Sequence, residues 1–156
     1  MISINMGLKN IKKSKKIFTY SWITSVIIAA LTIILIVPLN HNMISLFTRN
    51  EEVAVIADNA LNIFTYSIIG FGIFTVCQGV YVALGKNNIP LIMSILRIWL
   101  FRYAFILLTQ KFLGLYSIFW GNLFSNTAAG ILFFYLVKTL DWENVDIRKL
   151  KIKKLK

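Results

Sequence analysis

Carboxylates are scarce in this chain. Six Asp and Glu stand against seventeen Lys and Arg, a formal net charge of +11 over 156 residues. None of the six falls within residues 17–40, 59–85, 87–110 or 112–137, the four long apolar stretches. A proton or sodium relay built from carboxylates inside these stretches is therefore excluded. Histidine and cysteine occur once each, as His41 and Cys77. That rules out a disulfide within the chain and leaves a metal site or a Cys/His nucleophile pair without partners. No Ser/His/Asp set and no phosphate-cradling glycine loop is present. No enzyme chemistry, cofactor or metal is expected. The two prolines, Pro38 and Pro90, lie at the edges of apolar stretches, so neither interrupts one at its centre.

What the chain has in abundance is apolar length. Hydrophobic residues make up 58% and the mean hydropathy is +0.72, too apolar for a soluble domain with a wetted surface. Roughly 20 apolar residues cross the ~30 Å hydrocarbon core as a helix. The sequence predicts an all-α membrane protein with four transmembrane helices at about 17–38, 60–84, 89–109 and 112–137, in a single domain covering 1–156. Its expected location is the cell membrane, as a multi-pass protein in contact with membrane lipids. Basic residues cluster before the first span (Lys9, Lys12, Lys13, Lys15, Lys16) and after the last, in the tail 138–156 (Arg148, Lys149, Lys151, Lys153, Lys154, Lys156). This pattern places both ends in the cytoplasm. The loop with Glu51, Glu52 and Asp58 then faces outward, the turn Gly85–Asn88 inward, and Lys111 outward. The basic clusters do not interleave with aromatics on a folded surface, so nucleic acid is not an expected partner. The apolar run after the basic start is too long for a signal peptide, and span one is expected to be retained. Trp142 is placed at headgroup depth as an interfacial anchor.

Local signals refine the picture. Asn5–Leu8 suggests a turn. Ser21, Ser25 and Ala29 put small side chains on one face of span one, which allows close helix approach. Pro38 ends span one or kinks its exit. Met43, Ile44, Leu46 and Phe47 suggest a short turn lying on the outer interface. Asn50 followed by Glu51 and Glu52 is a helix start that should run straight into span two. Gly70 and Gly72 are its expected bend points. Gly85 provides a C-cap, and Pro90 falls in the first turn of span three.

Arg97 and Arg102 are the only ionisable residues deep in a span. Arg97 lies roughly 12 Å beyond Ile89 and Arg102 roughly 10 Å before Thr109, at a rise of about 1.5 Å per residue. Snorkelling to the nearer interface, structural pairing, and lining or gating a polar pathway are all open to them. Five residues apart, they sit about 140° from each other on an α-helix and form no stripe. Span four carries Gly114, Ser117, Gly121, Ser125 and Ala129 as a small-residue strip with Asn122 and Asn126 beside it. Interhelical glue and a cavity wall are both open readings of that strip. Gln78 with Thr75 repeats the feature on a smaller scale in span two. The substrate-pathway candidates are Arg97, Arg102, Asn122, Asn126 and Gln78.

The order of these features resembles the carboxy-terminal part of multidrug and toxin extrusion transporters. Gly7-Leu8-Lys9-Asn10 with the following lysines is similar to the family's cytoplasmic glycine-plus-basic segment. Leu46-Phe47-Thr48 with Glu51-Glu52-Val53 is similar to its outer turn, and Gly79 to Pro90 to an inner turn. Leu96-Arg97-Ile98-Trp99, Leu113-Gly114-Leu115 through Trp120, and Ser125-Asn126 resemble its last two helices. The resemblance implies helices nine to twelve of twelve, the end of the second lobe, in a secondary-active, cation-coupled antiporter of organic cations or amphipathic compounds working by alternating access. It also implies that the missing helices of the same transporter are partners and that the chain is incomplete alone. Two features depart from the family: Tyr103-Ala104 follows Arg102 where a proline is common, and residues 59–85 lack an acidic cation-site residue. Competing expectations are a small non-transporting assembly partner and a degenerate transporter fragment. A complete small exporter acting as a dimer would need a membrane-embedded carboxylate, and none is present.

Overall fold

The computed structural model describes residues 1–8 and 10–142. Lys9, Glu143, Asp146 and the basic tail residues Arg148, Lys149, Lys151, Lys153, Lys154 and Lys156 lie outside the described residues. All elements among the described residues are helical: α1 (Ile2–Gly7), α2 (Ile11–Ile36), α3 (Asn40–Ser45), α4 (Glu51–Ala83), α5 (Asn88–Ile95), α6 (Ala104–Leu113) and α7 (Tyr116–Lys138). A 3-10 turn, Val37–Leu39, joins α2 to α3, and a π-helical segment, Leu96–Tyr103, joins α5 to α6.

Helix starts and stops follow local chemistry. Asn10 caps α2 by accepting from the Lys13 amide at 3.1 Å. Asn50 Oδ1 accepts from the amides of Glu52 and Val53 at 3.0 and 3.4 Å, and Glu51 and Glu52 occupy the first turn of α4. At the other end Gly85 takes φ 72°, the Lys86 amide donates to Tyr81 O and the Gly85 amide to Val82 O. This is a Schellman stop, and it needs a residue tolerant of positive φ. Pro38 lacks the amide for another α-turn, so the chain tightens to 3-10 and continues as α3.

The helical rods run beyond the expected spans: Ile11–Ser45 encloses 17–38, and Asn88–Leu113 encloses 89–109. The second rod, Glu51–Ala83, begins at the Asn50 start expected of it and runs on through the second span. The fourth begins at Tyr116, because Gly114 adopts φ 52° and stops α6. Gly114 therefore does not belong to the small-residue strip of α7. Asn5–Leu8 is mostly the end of helix α1, with Met6 buried. Residues 43–47 are the end of α3 and a turn, with Ile44 buried and Met43, Leu46 and Phe47 exposed.

Three of these rods are long and apolar enough to cross a membrane. The fourth helix, α7, has the length at 23 residues, but its Asn, Ser and Thr make it less apolar. One face of it is buried against the other helices, while Ile118, Trp120, Phe124, Ile131 and Tyr135 are exposed. Its most extensive packing is against α4, and it also meets the π segment and α6. Ser117, Gly121, Ser125, Asn126, Ala129, Gly130, Phe133 and Val137 are all buried. Meanwhile Ile27, Ile28, Leu31, Ile34 and Leu35 of α2, and Ile98, Trp99 and Leu100 of the π segment, are exposed. Apolar outside and polar within is the arrangement expected of helices dissolved in lipid, where small residues and hydrogen bonds join them.

At one end of α7 an aromatic cluster locks three helices. Phe133 lies 5.3 Å from both Phe74 and Tyr81, and the Tyr81 hydroxyl donates to Leu136 O at 3.1 Å. Trp142 folds beneath this cluster, 6.4 Å from Phe18 and only 4% exposed. It is a core residue rather than an interfacial anchor, because its large apolar ring system gains more from packing on α2.

Candidate functional site

The site grows from an irregularity in the third rod. Leu96–Tyr103 winds as a π-helix, with hydrogen bonds reaching one residue further than in an α-helix. Residues i and i+5 are then stacked rather than splayed. Arg97 and Arg102 are such a pair, so the divergence of about 140° expected of an α-helix does not arise. Both turn toward α7. Arg97 Nη1 donates to Asn126 Oδ1 at 2.8 Å, and Arg102 Nε to Ser125 Oγ at 3.3 Å. Arg102 Nη2 also donates to Asn122 Oδ1. Both guanidinium groups are engaged by side chains of α7, the structural pairing that was one of the readings open to them.

The amides of α7 are in turn tied to α4. Asn122 Nδ2 and Asn126 Nδ2 donate to Ser67 Oγ at 3.1 and 3.3 Å, and Ser67 donates to Phe64 O at 2.8 Å. One hydroxyl thus satisfies two amides, and each amide oxygen faces an arginine. Ser125, Asn126 and Ser67 are buried, while Asn122 and both arginines are half-buried. Arg97 lies over the rings of Phe71 and Phe74 of α4, 5.1 and 4.9 Å from their centroids. That stacking supplies cation–π attraction in a weakly polar setting. Among the described residues the node contains no carboxylate and no metal-ligand cluster.

Backbone approach makes this geometry possible. A Cβ on Gly70 would stand 2.7 Å from Thr127 Cα, and one on Gly130 would stand 2.6 Å from Gly70 O. α4 and α7 therefore cross with their backbones touching, which brings Ser67 within reach of both asparagines. Gly70, an expected bend point, lies within the continuous helix α4, and its missing side chain permits this contact. Gly72 likewise faces Ser25 of α2, where a Cβ would meet the Oγ at 2.5 Å.

Four of the five candidates, Arg97, Arg102, Asn122 and Asn126, come together here. Gln78 does not. It stands eleven residues beyond Ser67 on α4, roughly 16 Å along the axis, and its side chain makes no hydrogen bond among the described residues. Thr75 bonds only to Phe71 O of its own helix, at 2.8 Å. Ser67, Phe71 and Phe74 were not singled out from the sequence. Their signal is one serine a turn before a Phe at i+4 and i+7, which reads as ordinary packing until the partner helix is placed. A second polar contact also escaped the reading. Asn40 of α3 donates to Asn62 Oδ1 of α4 at 2.7 Å, with Asn40 buried.

Helices with an apolar exterior joined by a guanidinium–amide node are, among the described residues, the arrangement of a membrane protein. The MatE family model matches residues 1–108, more than half of the 156, and the chain belongs to that family, one of membrane transporters of the multidrug and toxin extrusion type. The matched region carries both arginines and Ser67, whereas the asparagines of α7 follow it. Comparisons with curated proteins and with solved structures gave no match.

Proposed function

We propose that this chain is part of a secondary-active exporter of organic cations or amphipathic compounds, working by cation-coupled antiport and alternating access. In this reading α7 crosses the cell membrane as a fourth span, both ends are cytoplasmic, and the four spans correspond to helices nine to twelve of a twelve-helix transporter. The observation that carries the proposal is the MatE match over 1–108. The node of Arg97, Arg102, Asn122 and Asn126 is the candidate stretch of cargo pathway, and Gln78 is a weaker one. Transport requires two bodies that rock about a midplane site, and the carboxylates needed for coupling are to be supplied by further helices.

Ethidium efflux from cells tests this. The chain alone is expected to insert without exporting ethidium. Co-expressed with an eight-helix segment matching the rest of such a transporter, it is expected to gain protease resistance and gradient-dependent export. Robust export by residues 1–156 alone would contradict the need for further helices. Protease protection with no export in any combination would favour a non-transporting assembly partner.

A further inference from the structure

Packing sorts the described charges to opposite ends of the helices. Phe18 of α2 and Tyr81 of α4 both reach α7 near its C-terminus, through the Phe134 ring and the Leu136 carbonyl. Phe64, in the first half of α4, meets Phe119 in the first turn of α7. The start of α2 and the ends of α4 and α7 therefore share one end of the molecule. Lys12, Lys13, Lys15 and Lys16 of α2, Lys86 after α4 and Lys138 of α7 stand there, all exposed, with Asp141 as the one carboxylate among the described residues. The opposite end holds Glu51, Glu52 and Asp58 with Arg49 and Lys111.

Two of the lysines are held where the apolar surface begins. Lys16 folds back one turn over the Tyr20 ring, 5.7 Å from its centroid, and Lys138 over Phe134, 5.2 Å away. The rings attract each ammonium and keep it beside the lipid-facing surface instead of out in water. Each lysine also heads an exposed apolar stripe. Tyr20, Ile23 and Ile27 lie four, seven and eleven residues beyond Lys16 on one face of α2, extending roughly 16 Å at the helical rise. On α7, Ile131 and Phe124 lie seven and fourteen residues before Lys138. A cation above an apolar stripe complements an anionic headgroup above an acyl chain.

We infer that this basic end is a binding surface for anionic phospholipids, whose headgroups meet Lys16 and Lys138 and whose acyl chains lie along the two stripes. Clustered lysines at the bilayer surface attract acidic lipids through charge, and a zwitterionic lipid gains nothing from it. The inference goes beyond the export reading and needs only that the helices lie in a bilayer, so either can fail without the other.

The test uses the full chain in bilayers of phosphatidylcholine and phosphatidylglycerol, with one lipid at a time carrying brominated acyl chains that quench nearby tryptophan. A version with Trp99→Phe and Trp120→Phe reports chiefly through Trp22, which packs on Phe134 at the basic end. A version with Trp22→Phe, Trp99→Phe and Trp142→Phe reports through the exposed Trp120 in the first half of α7. Phosphatidylglycerol is expected to be preferred by about fivefold or more at Trp22 and not at Trp120. Lys16→Gln with Lys138→Gln is expected to lower that preference by about twofold or more, and Lys16→Arg with Lys138→Arg to retain it. Salt at about 1 M should weaken it as well, by screening. Equal quenching by the two lipids at Trp22, equal preference at the two ends, or a preference unchanged in the double Gln variant overturns the inference. Should the double Gln variant fail to fold, the comparison of the two ends with all lysines in place decides alone.

Discussion

Gly130 and Gly79 show how differently two helical glycines are used. A methyl group on Gly130 would stand 2.6 Å from the Gly70 carbonyl oxygen, and backbone cannot swing aside as a side chain does. Gly79 has nothing within 4 Å of such a methyl. Gly130→Ala is therefore expected to destabilise the detergent-solubilised protein by about 1–3 kcal/mol, as overpacking does. Gly79→Ala should leave the melting temperature unchanged or raise it, because alanine favours the helix by about 0.5–1 kcal/mol. Equal effects of the two substitutions would refute the close crossing. The node makes a second demand at this scale. Arg97→Ala removes a donor from Asn126, while Asn126→Leu strips Arg97 of its acceptor and Ser67 of a donor. Each is expected to weaken assembly or transport in the complemented system. In a double-mutant cycle on melting, the two losses should fall short of additivity by about 1 kcal/mol or more. Strict additivity would mean the two side chains act independently.

Helices whose ends are coded by their own residues were legible, and those shaped by neighbours were not. Asn50 and Gly85 announce the start and stop of α4 because a side-chain acceptor and a positive φ are local requirements. Asn50→Ala is expected to cost about 1 kcal/mol in thermal unfolding; no change would mean the Glu52 and Val53 amides find other acceptors. The π segment has no such local code, so its effect on Arg97 and Arg102 was read as divergence. A π turn accommodates one extra residue within an otherwise regular rod. Deleting the exposed Leu100 would leave the arginines four apart, one α-turn. That deletion variant is expected to fold with both arginines still on α7 and a melting temperature close to the parent's. Collapse of the fold on deletion would show that the π segment does more than seat the pair. Trp142 was misplaced for a related reason. Composition marks it as amphipathic, and only the position of Phe18 shows that it packs inward.

For the molecule as a whole, the sequence made the membrane and the family legible, since apolar length and motif order survive without any knowledge of packing. The buried face of α7 was only half legible. Its Asn and Ser strip signalled a need for partners, but not that Arg97, Arg102 and Ser67 would be those partners from two other helices. The strip also lowers the apolar character of α7, which makes its crossing the central claim of this account. Single cysteines at Asn50, Asn87, Lys111 and Thr139, in a Cys77→Ala background, test it directly with a membrane-impermeant maleimide applied to intact cells. Positions 50 and 111 are expected to label from outside, and 87 and 139 only after the cells are opened. Labelling of position 139 from outside together with 111 would mean that α7 does not cross, and the four-span lobe would be wrong.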